Sequence, residues 1–199
     1  VLGAMKLGFN HIAVRGFTLV ELLVGVAVFV ILASLAAPSM QRMIETQRVR
    51  GVGDELITDL QWARSEALRR GAGDSDVALA FGSNGELSCY SIHAGNTVLG
   101  ADVTCDCTRA PGSACAPGGV RTELKTVQVA RATGVVMAAS SASGTELRFQ
   151  PPQGLPTPTS LQIEVAGSRG GRVRASTNGV GRPSLCSPAA SVSGVQSCD

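Results

Sequence analysis

The sequence predicts an α+β fold in which a long N-terminal, membrane-spanning helix packs against an antiparallel β-sheet or sandwich. Three observations point to it. Phe17 to Ala37 is an apolar run of 21 residues whose only charge is Glu21. From Pro38 to Arg70, apolar residues recur mostly three or four apart among charged ones. Beyond Gly71, short runs of β-forming residues are separated by clusters of Gly, Pro, Ser and Asn. One helix followed by many strands is the α+β pattern. In a chain of 199 residues the stem leaves about 160 beyond the bilayer, enough for one domain.

At the helical rise the apolar run reaches roughly 30 Å, one hydrocarbon core. Lys6 and Arg15 precede it with no acidic residue before Glu21. That bias keeps the N-terminal end in the cytoplasm and sends the rest outward. A carboxylate inside a bilayer costs at least ~2.5 kcal/mol, so Glu21 must lie near the interface or beside a cation. Met5 is the expected start. Residues 1–16 are expected to be a short basic leader, 17–37 the transmembrane half of the helix, 38–70 its amphipathic half, and 71–199 a β-rich domain with disulfides.

The stretch Gly16-Phe17-Thr18-Leu19-Val20-Glu21 resembles the type IV pilin and pseudopilin superfamily, whose leader ends in glycine followed by Phe-Thr-Leu-x-Glu. Pro38 falls where that superfamily often carries a helix-kinking proline. The resemblance implies that a membrane-embedded prepilin peptidase cuts the Gly16–Phe17 bond and methylates the new Phe17 amine. It implies also that Glu21 pairs with the Phe17 amine of a neighbouring subunit, which supplies the required cation. An ordinary signal anchor would need Gly16, Phe17 and Glu21 to coincide by chance. A cleaved secretory signal fits less well, because its apolar core is only about 7–15 residues long. The location implied is the bacterial inner membrane, single-pass, with the C-terminal domain in the periplasm and the subunit incorporated into a pilus or pseudopilus.

In the amphipathic half, Met40, Met43, Ile44, Val49, Val52, Leu56, Leu60, Ala63 and Ala67 form the apolar stripe. Arg69 and Arg70 followed by Gly71 supply a cationic last turn and a C′ glycine, so the helix ends there. Strands are expected at Val77–Phe81, Leu87–Ile92, Val120–Val129, Thr133–Ala138, Glu146–Phe149, Leu161–Val165 and Arg172–Ser176. Thr104 to Gly119 lacks periodicity and is expected to be a loop that disulfides hold in shape. Trp62-Ala63-Arg64-Ser65-Glu66-Ala67, the Phe149-x-Pro-x-x-Gly stretch and the late strand-turn-strand ending in Cys186 are similar to the GspH/FimT family of minor pilins and pseudopilins. The charges around Arg64 read as a solvated helix face.

All six cysteines lie beyond the apolar run, on the side expected to be oxidising, so disulfides are favoured. Cys186 is expected to bond Cys198, closing a loop over the Ser/Ala/Gly-rich C-terminus. Cys105 and Cys107 are too close to join each other, so each should find Cys89 or Cys115. A zinc site from Cys105, Cys107 and Cys115 lacks a two-plus-two Cys-x-x-Cys spacing; no metal or cofactor is expected.

Catalytic motifs are missing from the sequence: no Gly-x-Ser-x-Gly, P-loop or His-Glu-x-x-His. With His11 in the leader, His93 is the only histidine of the mature chain, and Ser91-Ile92-His93-Ala94 reads as a strand end with His93 on the surface. Asp74 and Asp76 read as solvated turn residues. The protein is not expected to be an enzyme.

Loss of Lys6 and Arg15 turns the 17 basic residues into 15 against 15 acidic, a formal mature charge of 0. Against that balance, Arg169, Arg172, Arg174 and Arg182 lie between Gly167 and Cys186 with no acidic residue among them. Arg172 and Arg174, two apart in a strand, point the same way, and guanidinium groups on one edge can neutralise phosphates without reading sequence. Some FimT-type relatives carry a DNA-binding Gly-Arg-x-Arg, matched here by Gly171-Arg172-Val173-Arg174; Gly181-Arg182-Pro183-Ser184 is the alternative equivalent, with the second arginine lost. The competing view is that these arginines solvate an edge strand and discourage edge pairing. The resemblance therefore implies a minor pilin of a type IV pilus that helps prime or cap the filament, with DNA capture through Arg172, Arg174 and Arg182 as an added role. Its partners would be other pilin or pseudopilin subunits, the prepilin peptidase, the inner membrane and double-stranded DNA. The alternative is a GspH-like minor pseudopilin of a type II secretion system.

Overall fold

The computed structural model describes residues 16–71, 75–96, 105–140 and 145–198. Most of the leader, and Asp74, lie outside them. Helix α1 runs Leu19–Arg70 with Pro38 inside it, so Phe17 and Thr18, expected to be helical, precede the first turn. It ends as the sequence predicts: Gly71 takes a left-handed φ of 71° after Arg69 and Arg70. The chain divides into two compact units after Met40.

In the first unit every residue of α1 is exposed. In the second, Glu45, Val49, Gly53, Leu56, Leu60, Ala63 and Ala67 are buried at three- and four-residue spacing, the single face an amphipathic helix presents to a core. Among the described residues this unit has nine antiparallel strands: β1 Ser75–Ser83, β2 Leu87–Asn96, β3 Arg121–Ala130, β4 Val135–Ser140, β5 Glu146–Gln150, β6 Leu155–Thr157, β7 Gln162–Gly167, β8 Arg172–Thr177 and β9 Pro183–Cys186. They form a five-stranded sheet, β3-β2-β1-β5-β6, and a four-stranded sheet, β4-β7-β8-β9. Val77, Leu79, Tyr90, Ile92, Leu147 and Phe149 from the first sheet join Val135, Ile163, Val165, Val173 and Ala175 from the second and the α1 stripe in one apolar cluster. Full burial of each large side chain contributes about 1.5–3 kcal/mol. A Cβ at Gly53 would press on Val173 and Leu185; glycine there lets the helix approach the second sheet.

β6 was not expected, whereas β9 closes the strand-turn-strand expected to end in Cys186. β6 contains Pro156 and β9 begins at Pro183; both lie at sheet edges, where a missing N–H costs no ladder bond. Thr133, expected to open a strand, instead belongs to a 3-10 turn at Arg131–Thr133 closed by Gly134 in the left-handed region.

Three disulfides occur: Cys89–Cys107, Cys105–Cys115 and Cys186–Cys198. The loop around Cys105 to Gly119 is held by more than sulfur. Glu123 accepts from the amides of Gly112 and Ala114, Gln128 donates to the carbonyls of Cys107 and Arg109, and Asp106 N–H donates to Ala114 O. The C-terminal segment is ordered by Ser187 and Ser191, whose hydroxyls donate to Arg172 O, and by buried Val192.

Polar groups pin the helix to both sheets. Tyr90 OH donates to Asp59 at 2.6 Å, and Lys125 reaches Asp59 at 2.7 Å and Glu55 at 3.2 Å. Buried Glu45 accepts from Ser168 Oγ, from Arg169 N and from the Arg169 guanidinium, closing the β7–β8 turn onto α1. Gly167 is required beside it, since a Cβ there would collide with the carboxylate. Glu45→Ala leaves these donors unpaired and is expected to destabilise the folded unit by about 2–4 kcal/mol. The check is the denaturant midpoint of the full chain in detergent; an unchanged midpoint would show that this clasp carries no stability.

Candidate functional site

The first candidate site is the start of α1. Gly16 and Phe17 are exposed and non-helical, so the peptide bond between them lies just outside the helix. Thr18 is the N-cap: its Oγ1 accepts the Glu21 N–H at 3.2 Å. Thr18-x-x-Glu21 is thus also the pattern of a capping box, a signal the sequence held and that went unread. Glu21 lies in the first helical turn, where the helix dipole favours an anion. As far as Ala37 the helix is otherwise apolar on every side and exposed; Leu19, Phe29 and Leu35 each keep over 70% of their surface (76%, 71% and 73%), as does Phe17 before it (81%). Its length and composition suffice to cross a membrane. A helix greasy on all faces is stable only in lipid or among other helices.

The C-terminal arginines do not form one basic patch. Arg169 is drawn to Glu45 and to Gln41. Arg172 and Arg174 do share the outer face of β8, but Glu164 of the neighbouring β7 lies between them, at 3.4 Å and 3.7 Å. Arg182 sits in the β8–β9 turn at the other end of β8, where Thr177 pairs with Pro183. It lines a cleft with Arg64, Gln61, Ser65 and Leu68. The sequence window showed four cations and no acid because the acids that face them, Glu45 and Glu164, come from outside it.

A third cluster was not expected. On the outer face of the first sheet, Ala78 of β1 pairs with His93 of β2 and with Arg148 of β5, and Ala80 pairs with Glu146. This brings His93, Glu146 and Arg148 together with Arg121 of β3 and Asp76 of β1. His93 is not a surface residue: it is fully buried, its Nε2 2.5 Å from Arg121 Nη1 and 3.4 Å from Glu146 Oε1. Asp76 is not a solvated turn residue either; it is buried in β1, 3.7 Å from Arg148. Strand β2 is buried on both faces, with α1 meeting Tyr90 and the cysteine loop meeting Cys89. That covering loop is what the local pattern around His93 could not reveal. Glu66, expected among solvated helix charges, is likewise buried and holds Arg69 and Arg70.

Burial alone would push the Glu146 carboxyl up, but the hydrogen bonds with His93 and Arg148 and the charges of Arg148 and Arg121 outweigh it and bring it to about 2. Burial is the larger influence at Asp76, which is raised against the pull of Arg121 and Arg148. The cluster balances two guanidinium groups against two carboxylates, an arrangement that fixes strand register.

Residues 13–37 match the prokaryotic N-terminal methylation motif, and residues 53–181 match the family described as Type II transport protein GspH. No curated protein and no solved structure matches the chain.

The Glu146 carboxyl lies below its ordinary value of 4.5 when folded, so the unfolded chain takes up the proton first on acidification. Its contribution is complete above the ordinary value and is lost as pH falls toward about 2. The wild-type chain is expected to lose about 2–3 kcal/mol more over that window than Glu146→Gln. Denaturant midpoints at a series of pH values check this; parallel curves for the two chains would remove the carboxylate from the balance.

Proposed function

Since the chain belongs to the GspH family of type II transport proteins and carries the N-terminal methylation motif, we propose that it is a minor subunit of a type IV pilus, helping to prime or cap the filament. The observation that supports this most is the exposed apolar half of α1, with its single acid as the fifth residue after the expected cleavage point.

In this proposal the helix anchors the subunit in the inner membrane with its β-rich domain on the periplasmic side. The prepilin peptidase cuts Gly16–Phe17, where the chain is exposed and not yet helical, and methylates the new amine. Removing residues 1–16 creates a cation at the head of the helix. Glu21 of one subunit then pairs with the Phe17 amine of its neighbour, so that transfer from lipid into a bundle of like helices leaves no charge unpaired. The amphipathic half stays committed to its own domain.

The family's description favours a second reading, a minor pseudopilin of a type II secretion system. The two share the processing and the helix and differ in the machine. Deletion should abolish twitching or transformation in the first case and release of exported proteins in the second.

Glu21→Val should still be processed to a chain beginning at Phe17, yet enter sheared filaments at least tenfold less than wild type. Mass spectrometry of the mature N-terminus and immunoblots of the filament fraction read both outcomes. A different N-terminus, or undiminished incorporation, would overturn the assembly mechanism.

DNA capture is an added proposal, supported by Arg172 and Arg174 on one exposed face, with Arg182 beyond the turn. Glu164 offsets one of the paired charges. If these arginines contact phosphate, replacing all three by alanine should flatten the salt dependence of double-stranded DNA retention by about 2–3 in the log–log slope. Glu164→Gln should strengthen retention. Unchanged slopes would remove the DNA role and leave assembly untouched.

A further inference from the structure

The outer face of the first sheet holds another juxtaposition. Cys105 and Cys115 are joined beneath the cysteine loop, and their sulfurs and a ring nitrogen of His93 all lie within 4.8 Å of one another. Nε2 of His93 faces Arg121 and Glu146. Nδ1 is buried and has no hydrogen-bond partner among the described residues.

We propose that opening the Cys105–Cys115 disulfide creates a Cys₂His site for a thiophilic divalent cation, with His93 Nδ1 as the nitrogen ligand. A dithiol breaks the S–S bond by exchange, giving its two hydrogens to the two thiols and leaving as its own disulfide; a phosphine does so with one water, whose oxygen leaves in the phosphine oxide and whose two protons complete the thiols. A divalent ion then displaces both thiol protons and binds two thiolates and the imidazole.

Four features favour this chemistry. Tetrahedral zinc with ligand bonds of roughly 2.0–2.3 Å needs donors roughly 3.3–3.8 Å apart, within the span the three residues already occupy. The loop does not depend on the bond that opens, because Asp106 N–H still donates to Ala114 O at 2.8 Å and Glu123 still holds the amides of Gly112 and Ala114. The cysteines therefore stay opposite each other. Charge favours a divalent ion: Arg121 and Arg148 stand against Asp76 and Glu146, and Glu123, held on the amides of Gly112, Ala114 and Cys115, adds a negative charge beside the loop, so two thiolates are better matched by two positive charges than by one. Behind the imidazole, Glu146 Oε1 is 3.4 Å from Nε2. It can accept the Nε2 proton and leave the Nδ1 lone pair to the metal, the usual support of a ligating histidine. Arg121 then turns to Glu146, already 3.1 Å away. Cys115 also borders a cleft lined by Pro111, Pro117, Arg121 and Leu124, through which ion and reductant can enter.

Grouping cysteines by spacing alone sets this site aside, since Cys107 is committed to Cys89 and the third ligand comes from β2.

The test uses the full chain in detergent, reduced with a phosphine, with cobalt(II) as spectroscopic probe and zinc(II) for protection. One cobalt per chain should bind with thiolate-to-cobalt absorption in the near ultraviolet. Cys115→Ser should abolish that absorption, a double Cys186→Ser, Cys198→Ser chain should keep it, and His93→Gln should weaken cobalt binding at least tenfold. In the unaltered sequence, zinc should shield Cys105 and Cys115 from iodoacetamide and leave Cys186 and Cys198 reactive, as mapped by peptide mass. No thiolate absorption in the reduced wild-type chain, a spectrum that survives Cys115→Ser, undiminished binding by His93→Gln, or zinc shielding of a different pair would each overturn the proposal.

Discussion

Everything in the protein follows from one helix that meets two solvents. Among the described residues α1 is exposed up to Ile44, and from Glu45 onward one face is dry. Among the described residues the amphipathic stripe of α1 shares one apolar cluster with side chains of both sheets, and Val49, Leu56 and Leu60 have zero exposure within it. Short strands joined by glycine- and proline-rich turns bury too little on their own to stand. The helix is what turns them into a domain.

Apolar contact does not by itself say how far along the helix each sheet should sit, because leucine packs on valine at many offsets. The buried charges do. Glu45 caps the β7–β8 turn, and Asp59 receives Tyr90 and Lys125. A slip of one turn would strand each of these carboxylates in a dry place, which costs more than the pairing contributes. Such pairs add modestly to stability and strongly to uniqueness.

This division explains what could be read in advance. The membrane run, the helix end at Gly71, the positions of seven strands and the Cys186–Cys198 bond are local matters, set by composition, periodicity and spacing within a dozen residues. The burial of His93 is not, because it depends on Cys105 and Cys115, more than ten residues further along the chain, folding back over β2. Nor are the partners of Arg172 and Arg174, since Glu164 is brought beside them only by the β7–β8 hairpin. β6 escaped for a different reason: proline argues against a strand interior, and this strand is all edge. Thr18-x-x-Glu21 was legible from the start, but a single acid in an apolar run draws attention to its charge before its place in the first turn.

The split after Met40 has a practical and mechanical corollary. Every side chain of the apolar cluster belongs to the later unit, so a polypeptide beginning near Gln41 forfeits none of the interior and should behave as a freely soluble body. By the same logic, pulling the greasy stem out of one environment and into another leaves the head's interior untouched. In the proposed assembly, passage from lipid to fibre would then need no unfolding, only an exchange of neighbours.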